Sequence, residues 1–122
     1  MFTTTLTFNG KAAQEIRERH MPPAVMVTVN IDANTARRDA TVWLVSEVGN
    51  MLKAGTGQLV ITNQAVWRMP ALLTSSKIGT VGQVGTVDVD AVTGKLLVND
   101  QLRVQILHNA KHLVRLTHPS IG

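Results

Sequence analysis

Between Val81 and Leu97 the residues VGQVGTVDVDAVTGKLL leave the chain few choices of fold. Val81, Val87 and Val89 fall on one side of a period-2 run, which predicts a strand with one dry face that another layer must cover. The run then has to turn. Asp90 brings a side-chain acceptor to the start of a tight loop, and Gly94 supplies a residue that adopts positive φ easily. Lys95 to Val98 can return as the partner strand, so the segment predicts a hairpin.

Alternation elsewhere supplies neighbours for that hairpin. Residues 2–8 alternate apolar side chains with threonine, and residues 24–31 place Val25, Val27, Val29 and Ile31 on one face; both read as strands. Between them, residues 11–20 are good helix formers with few apolar positions, a short surface helix or helical turn stopped by Pro22-Pro23. After Asp32 or Asn34, either a suitable cap, the period becomes helical. Ala36, Ala40, Trp43, Leu44, Val48, Met51 and Leu52 recur at threes and fours, with Gly55 as the residue after the helix. Residues 59–62 and 65–74 read as two strands about Asn63-Gln64, and Pro70, which has no N–H, marks an edge, a bulge or a break. A last helix, capped by Asn99 or Asp100, lines Leu102, Ile106, Ala110 and Leu113 on one side and ends at His118-Pro119. These elements predict a single α+β domain over residues 1–122, an antiparallel sheet of five or six strands with two main helices packed on it.

Cysteine is absent, which excludes disulfides, thiol catalysis and thiolate-held metal, and fits a reducing compartment. Residues 1–6 carry no basic segment ahead of an apolar run, and no stretch of about 18 apolar residues occurs, so a soluble, cytoplasmic protein is expected. The formal charge is +4 and the pI is near 10.1. The distribution is more informative than the total: all eight carboxylates lie at or before Asp100, leaving a cationic C-terminal element. The few aromatics, Phe2, Phe8, Trp43 and Trp67, argue against a platform for stacking single-stranded bases.

From residue 36 to residue 97 the order helix, strand, strand carrying Val66-Trp67-Arg68-Met69, loop, then Val89-Asp90-Ala91-Val92-Thr93-Gly94-Lys95-Leu96 resembles the PepSY domain. About half of the chain is covered, and the turn sequence matches the family's Val-Asp-Ala-x-Thr-Gly-x-Leu feature. The resemblance implies a non-enzymatic role, since such domains are regarded as regulators or inhibitors of peptidases. They are mostly secreted or membrane-attached, a setting for which this sequence offers no export signal. The chain also resembles small bacterial proteins for which no role is implied.

Three groups of residues are candidates for function. His108, Lys111, His112 and Arg115, spaced i, i+3, i+4, i+7, share one helical face; two imidazoles could hold a metal with His118, but the two cations oppose it, and an anionic partner suits the patch better. Arg37 and Arg38, set against the dipole at a helix start, could extend a phosphate-contacting surface. Trp67, Arg68 and Asp88 are the candidate ligand or partner site on the sheet. Asp88 and Asp90 share one strand face, yet Asp90 is better explained as the turn acceptor and Asp88 as the partner of Arg68 or Lys95. Gly79, Gly82 and Gly85 interrupt a strand and so indicate a bulge or a close backbone approach, not a phosphate loop. No nucleophile–base pair is recognisable and no cofactor is expected. The leading expectation is a non-catalytic binding or interaction module, homodimeric and with a regulatory role open to it. A nucleic-acid-associated, antitoxin-like regulator using the cationic helix is the first alternative, and a small enzyme with an unrecognised pocket the second.

Overall fold

A chain that alternates apolar and polar residues over long runs must pair those runs and cover one side of the result. The computed structural model, which describes residues 2–7 and 24–117, shows how this is done. The helix expected over 11–20, the Pro22-Pro23 stop and His118-Pro119 lie outside the described residues. Strands β1 (Phe2–Thr7) and β2 (Ala24–Val29) pair antiparallel, Phe2 opposite Val29 and Thr7 opposite Ala24. Helix α1 (Ala33–Trp43) starts at Asp32, whose carboxylate accepts the Thr35 N–H at 2.7 Å. It ends in a wider π-helical turn, Leu44–Val48, closed by the Gly49 N–H donating to the Leu44 carbonyl at 2.8 Å.

The remaining elements are β3 (Leu52–Ala54), β4 (Gln58–Ile61), β5 (Ala65–Ser75), β6 (Gly79–Asp90) and α2 (Asp100–Thr117), the last capped by Asn99, whose side chain accepts the Leu102 N–H at 2.8 Å. β5 is the middle row of a four-stranded antiparallel sheet. β6 lies along one edge of it, and β3 and β4 lie end to end along the other. With the two-stranded ribbon this makes six strands and two helices among the described residues, the α+β class expected.

Two readings of the sequence change here. The first helix does not reach residue 54: it stops at Val48, and Leu52, Lys53 and Ala54 form β3 in a buried, exposed, buried order. Val48, Met51 and Leu52 fit a helical spacing, but Leu52 and Ala54 also fit a period of two, and Gly49-Asn50 between them ends the helix. Gly55 is accordingly no helix terminator. It donates its N–H to the Pro70 carbonyl at 2.8 Å, and a Cβ there would lie 2.7 Å from Pro70 Cγ. Ala54 opposes Ala71 and Gln58 opposes Arg68, so Gly55, Thr56 and Gly57 face only Met69 and Pro70, a one-residue bulge. Pro70 has no N–H to offer that row, which is why it breaks there.

One face of the sheet carries the core. Met69, Ala71 and Leu73 of β5, Val87 and Val89 of β6, and Leu52 and Ala54 of β3 pack under Ala36, Ala40 and Leu44 of the first helix and Ile106 and Ala110 of the second. Met69, Leu44, Ile106, Val87 and Val89 are fully buried, each contributing about 1.5–3 kcal/mol of transfer free energy. The glycines of β6 set how closely α2 can approach. A Cβ on Gly85 would meet Ile106 Cγ1 at 2.8 Å, and one on Gly82 would meet Leu113 Cδ2 at 2.8 Å. The β5–β6 register also shifts twice, between Ala71 and Leu72 and between Leu73 and Thr74. Gly82 and Gly85 thus lie in the irregular stretch and permit close approach, with helix side chains rather than another backbone as the close neighbour, whereas Gly79, with φ 85° and open space around it, serves the turn.

Gly85→Ala should therefore lower stability by about 1–3 kcal/mol, the range for overpacking a filled core. Urea unfolding in an Ile106→Ala background checks the cause: the same substitution should cost far less once the Ile106 side chain is gone.

Candidate functional site

Because side chains alternate across a strand, the even-numbered residues of β5 point away from the helices. The register aligns Gln58, Arg68 and Asp88 in one row across β4, β5 and β6, with Pro70 beside Thr86 and Leu72 beside Gln83 in the neighbouring rows. Among the described residues neither helix covers this face, although Val66 at its β4 end is buried. At its centre Arg68 holds Asp88 with two hydrogen bonds, Nε to Oδ1 at 2.9 Å and Nη2 to Oδ2 at 3.0 Å. The hydrogen bonds it donates to Asp88, then the charge of that carboxylate, hold the Arg68 guanidinium above its usual pKa. The Arg68 side chain remains 47% exposed and that of Asp88 24% exposed, so the fork can be reached from outside.

Trp67, next in sequence to Arg68, lies on the opposite side of the sheet. Its ring packs with Val29, Ala65 and Ala91, and its Nε1 donates to the Ile31 carbonyl at 2.6 Å, fastening the entry to α1. The structure therefore brings Arg68 and Asp88 together and separates Trp67 from them.

Asp90 shares the open face with Asp88 but is engaged in the turn. Its Oδ1 accepts the N–H groups of Val92 at 2.8 Å and Thr93 at 2.9 Å, and its backbone carbonyl accepts that of Gly94, whose φ is 78°. The Thr93 and Val92 N–H groups hold its carboxyl below the ordinary value. The returning strand is short: the Asp90 N–H donates to the Lys95 carbonyl and the Leu97 N–H to the Asp88 carbonyl, both at 2.9 Å. Only Leu96 forms a bridge with Val89.

The cationic residues divide into two surfaces. His108, Lys111, His112 and Arg115 are all exposed on α2, where Lys111 and Arg115 border a shallow depression with Ala110 and Val114. Arg37 and Arg38 are exposed on α1, and Arg37 borders a separate recess with Thr41, Lys53, Gly55, Thr56 and Leu72. Lys53 escapes notice in the sequence because the helical spacing around it hides the Leu52-Lys53-Ala54 alternation; the Gly49-Asn50 stop is the signal that reveals it. Among the described residues no group of three His, Asp or Glu side chains could hold a metal ion, and no helix is long and apolar enough to cross a membrane. No family model, curated protein or solved structure matches the chain.

The turn carboxylate gives a pH test. With its folded pKa depressed, Asp90 binds protons more readily when unfolded; its stabilisation is present above the unfolded carboxylate value of about 3.9 and fades as pH falls through the folded one. Asp90→Asn keeps a side-chain acceptor but cannot titrate. Unfolding midpoints at pH 7 and pH 3 should therefore differ less in this variant than in the parent, the residual difference including Asp32, whose carboxyl the Thr35 N–H also lowers.

Proposed function

We propose that this domain is a non-catalytic interaction module whose working surface is the sheet face left uncovered by its helices, and that the first partner of that face is a second copy of the chain. The observation that carries the reading is the Arg68–Asp88 fork at the centre of the face. A cation and an anion side by side are self-complementary: a two-fold axis near them sets Arg68 of one copy against Asp88 of the other. The half-buried Pro70 and Leu72 and the uncharged Gln58, Gln83 and Thr86 around them offer a flat, weakly polar surface suited to a macromolecule. A non-enzymatic role is also what the PepSY-like segment implies, and a face that opens or closes with assembly would suit regulation.

A second reading has its own observation. The four basic and imidazole side chains displayed together on α2 favour contact with the phosphates of nucleic acid, sequence-independent and steeply salt-dependent.

Sedimentation across a micromolar-to-millimolar series should show dimer formation. Arg68→Asp should weaken it at least tenfold, and Arg68→Asp/Asp88→Arg should restore most of the loss. A monomer at every concentration would remove the leading reading. In parallel, fluorescence anisotropy with duplex DNA should show no binding; binding that falls steeply between low and moderate salt and disappears in Lys111→Ala/Arg115→Ala would establish the second reading instead.

A further inference from the structure

The bulge that Pro70 forces into the β3–β4 row lies at the edge of the sheet, directly against α1. There the Thr41 hydroxyl accepts the Ala54 N–H at 3.0 Å, joining helix to strand edge and leaving the hydroxyl hydrogen able to donate outward. Five side chains converge on the recess beside this joint. Arg37 and Thr41 come from the helix, Lys53 and Leu72 from the open side of the sheet, and the exposed Thr56 from the bulge itself, next to the buried Gly55. No carboxylate borders it. Neither Arg37 nor Lys53 takes part in an ion pair among the described residues, where the pairs are Arg68–Asp88 and Arg103–Asp100. Thr56, the surplus residue of the bulge, gives its N–H to no backbone carbonyl among the described residues.

Two cations, two hydroxyls and a bulge amide at one concave edge, with no acid among them, form an acceptor-seeking set. From this we infer that the recess is a binding site for a phosphoryl group, free or as a small phosphate monoester. Arg37 presents a planar fork to two phosphate oxygens, and Lys53 adds a point charge from the other wall. The Thr41 and Thr56 hydroxyls can donate to the remaining oxygens, and the half-buried Leu72 offers an apolar shelf for the organic part of an ester. Both cations stand in water, so binding is weak and salt-sensitive. The site lies apart from the Lys111–Arg115 face and shares only Leu72 with the face proposed for self-association.

The test is a titration of the full ¹⁵N-labelled chain at low ionic strength with inorganic phosphate, and separately with phenyl phosphate, followed by amide shifts. Saturable shifts at Lys53, Gly55, Thr56 and Gly57 are expected. Arg37→Gln/Lys53→Gln should weaken binding at least tenfold with an unchanged unfolding midpoint, since both side chains are exposed, and Lys111→Gln/Arg115→Gln should leave it intact. Tighter binding of phenyl phosphate would identify a monoester as the ligand, and equal binding the free ion. Shifts matched by sodium chloride at the same ionic strength, or an affinity unchanged in Arg37→Gln/Lys53→Gln, would overturn the inference.

Discussion

Pro70 sits in the middle of β5, which has the long β6 along one edge and the short β3 and β4 along the other, and it has no N–H to share. Much of the molecule follows from that missing donor. Toward β6 the ladder is continuous through Pro70, because there its partner Thr86 asks nothing of the proline nitrogen. Toward β3 and β4 the row must give way, and it does so by adding a residue and placing glycine where the proline ring presses closest. The interruption shortens β3 to three residues, and the edge N–H of Ala54 is satisfied by α1 through Thr41. A defect in one strand thus fixes where the first helix docks.

The second helix obeys a different constraint on the same layer. Gly82 and Gly85 remove side chains from β6 where Leu113 and Ile106 arrive, so α2 settles close to the sheet while α1 approaches through its own small residues, Ala36 and Ala40. Both helices are accommodated on one face, and the other is left with the Arg68–Asp88 pair among sparse polar residues, with Asp90 and Lys53 toward its ends. An exposed pair of this kind contributes little to stability. Its importance lies in orientation: the fork holds two opposite charges in fixed positions on an otherwise bland plane.

What could be read from the sequence was what local chemistry decides. The Asp90 acceptor and the positive φ of Gly94 are properties of the turn itself, and the Leu102, Ile106, Ala110 and Leu113 stripe follows from helical spacing alone. The pairing of Arg68 with Asp88 was accessible because two alternating strands joined by a short loop can be aligned by parity. Parity also places Trp67 and Arg68 on opposite faces, so grouping them as one site ignored the alternation that defined their strand. The end of the first helix was hidden because Leu52 satisfies two periodicities at once, the helical spacing with Val48 and the alternation with Ala54. The recess of Arg37 and Lys53 depends on a bulge register set by tertiary pairing, and no local pattern announces it.

The central claim is that the face bearing Arg68 and Asp88 is a contact surface between copies. Isotope-filtered NMR on a mixture of ¹³C-labelled and unlabelled chains, at a concentration where the dimer is populated, tests this most directly. The account predicts intermolecular contacts from the Leu72 and Thr86 methyl groups and from the Pro70 ring. Intermolecular contacts confined to the outer surfaces of α1 and α2, or none at all, would contradict it.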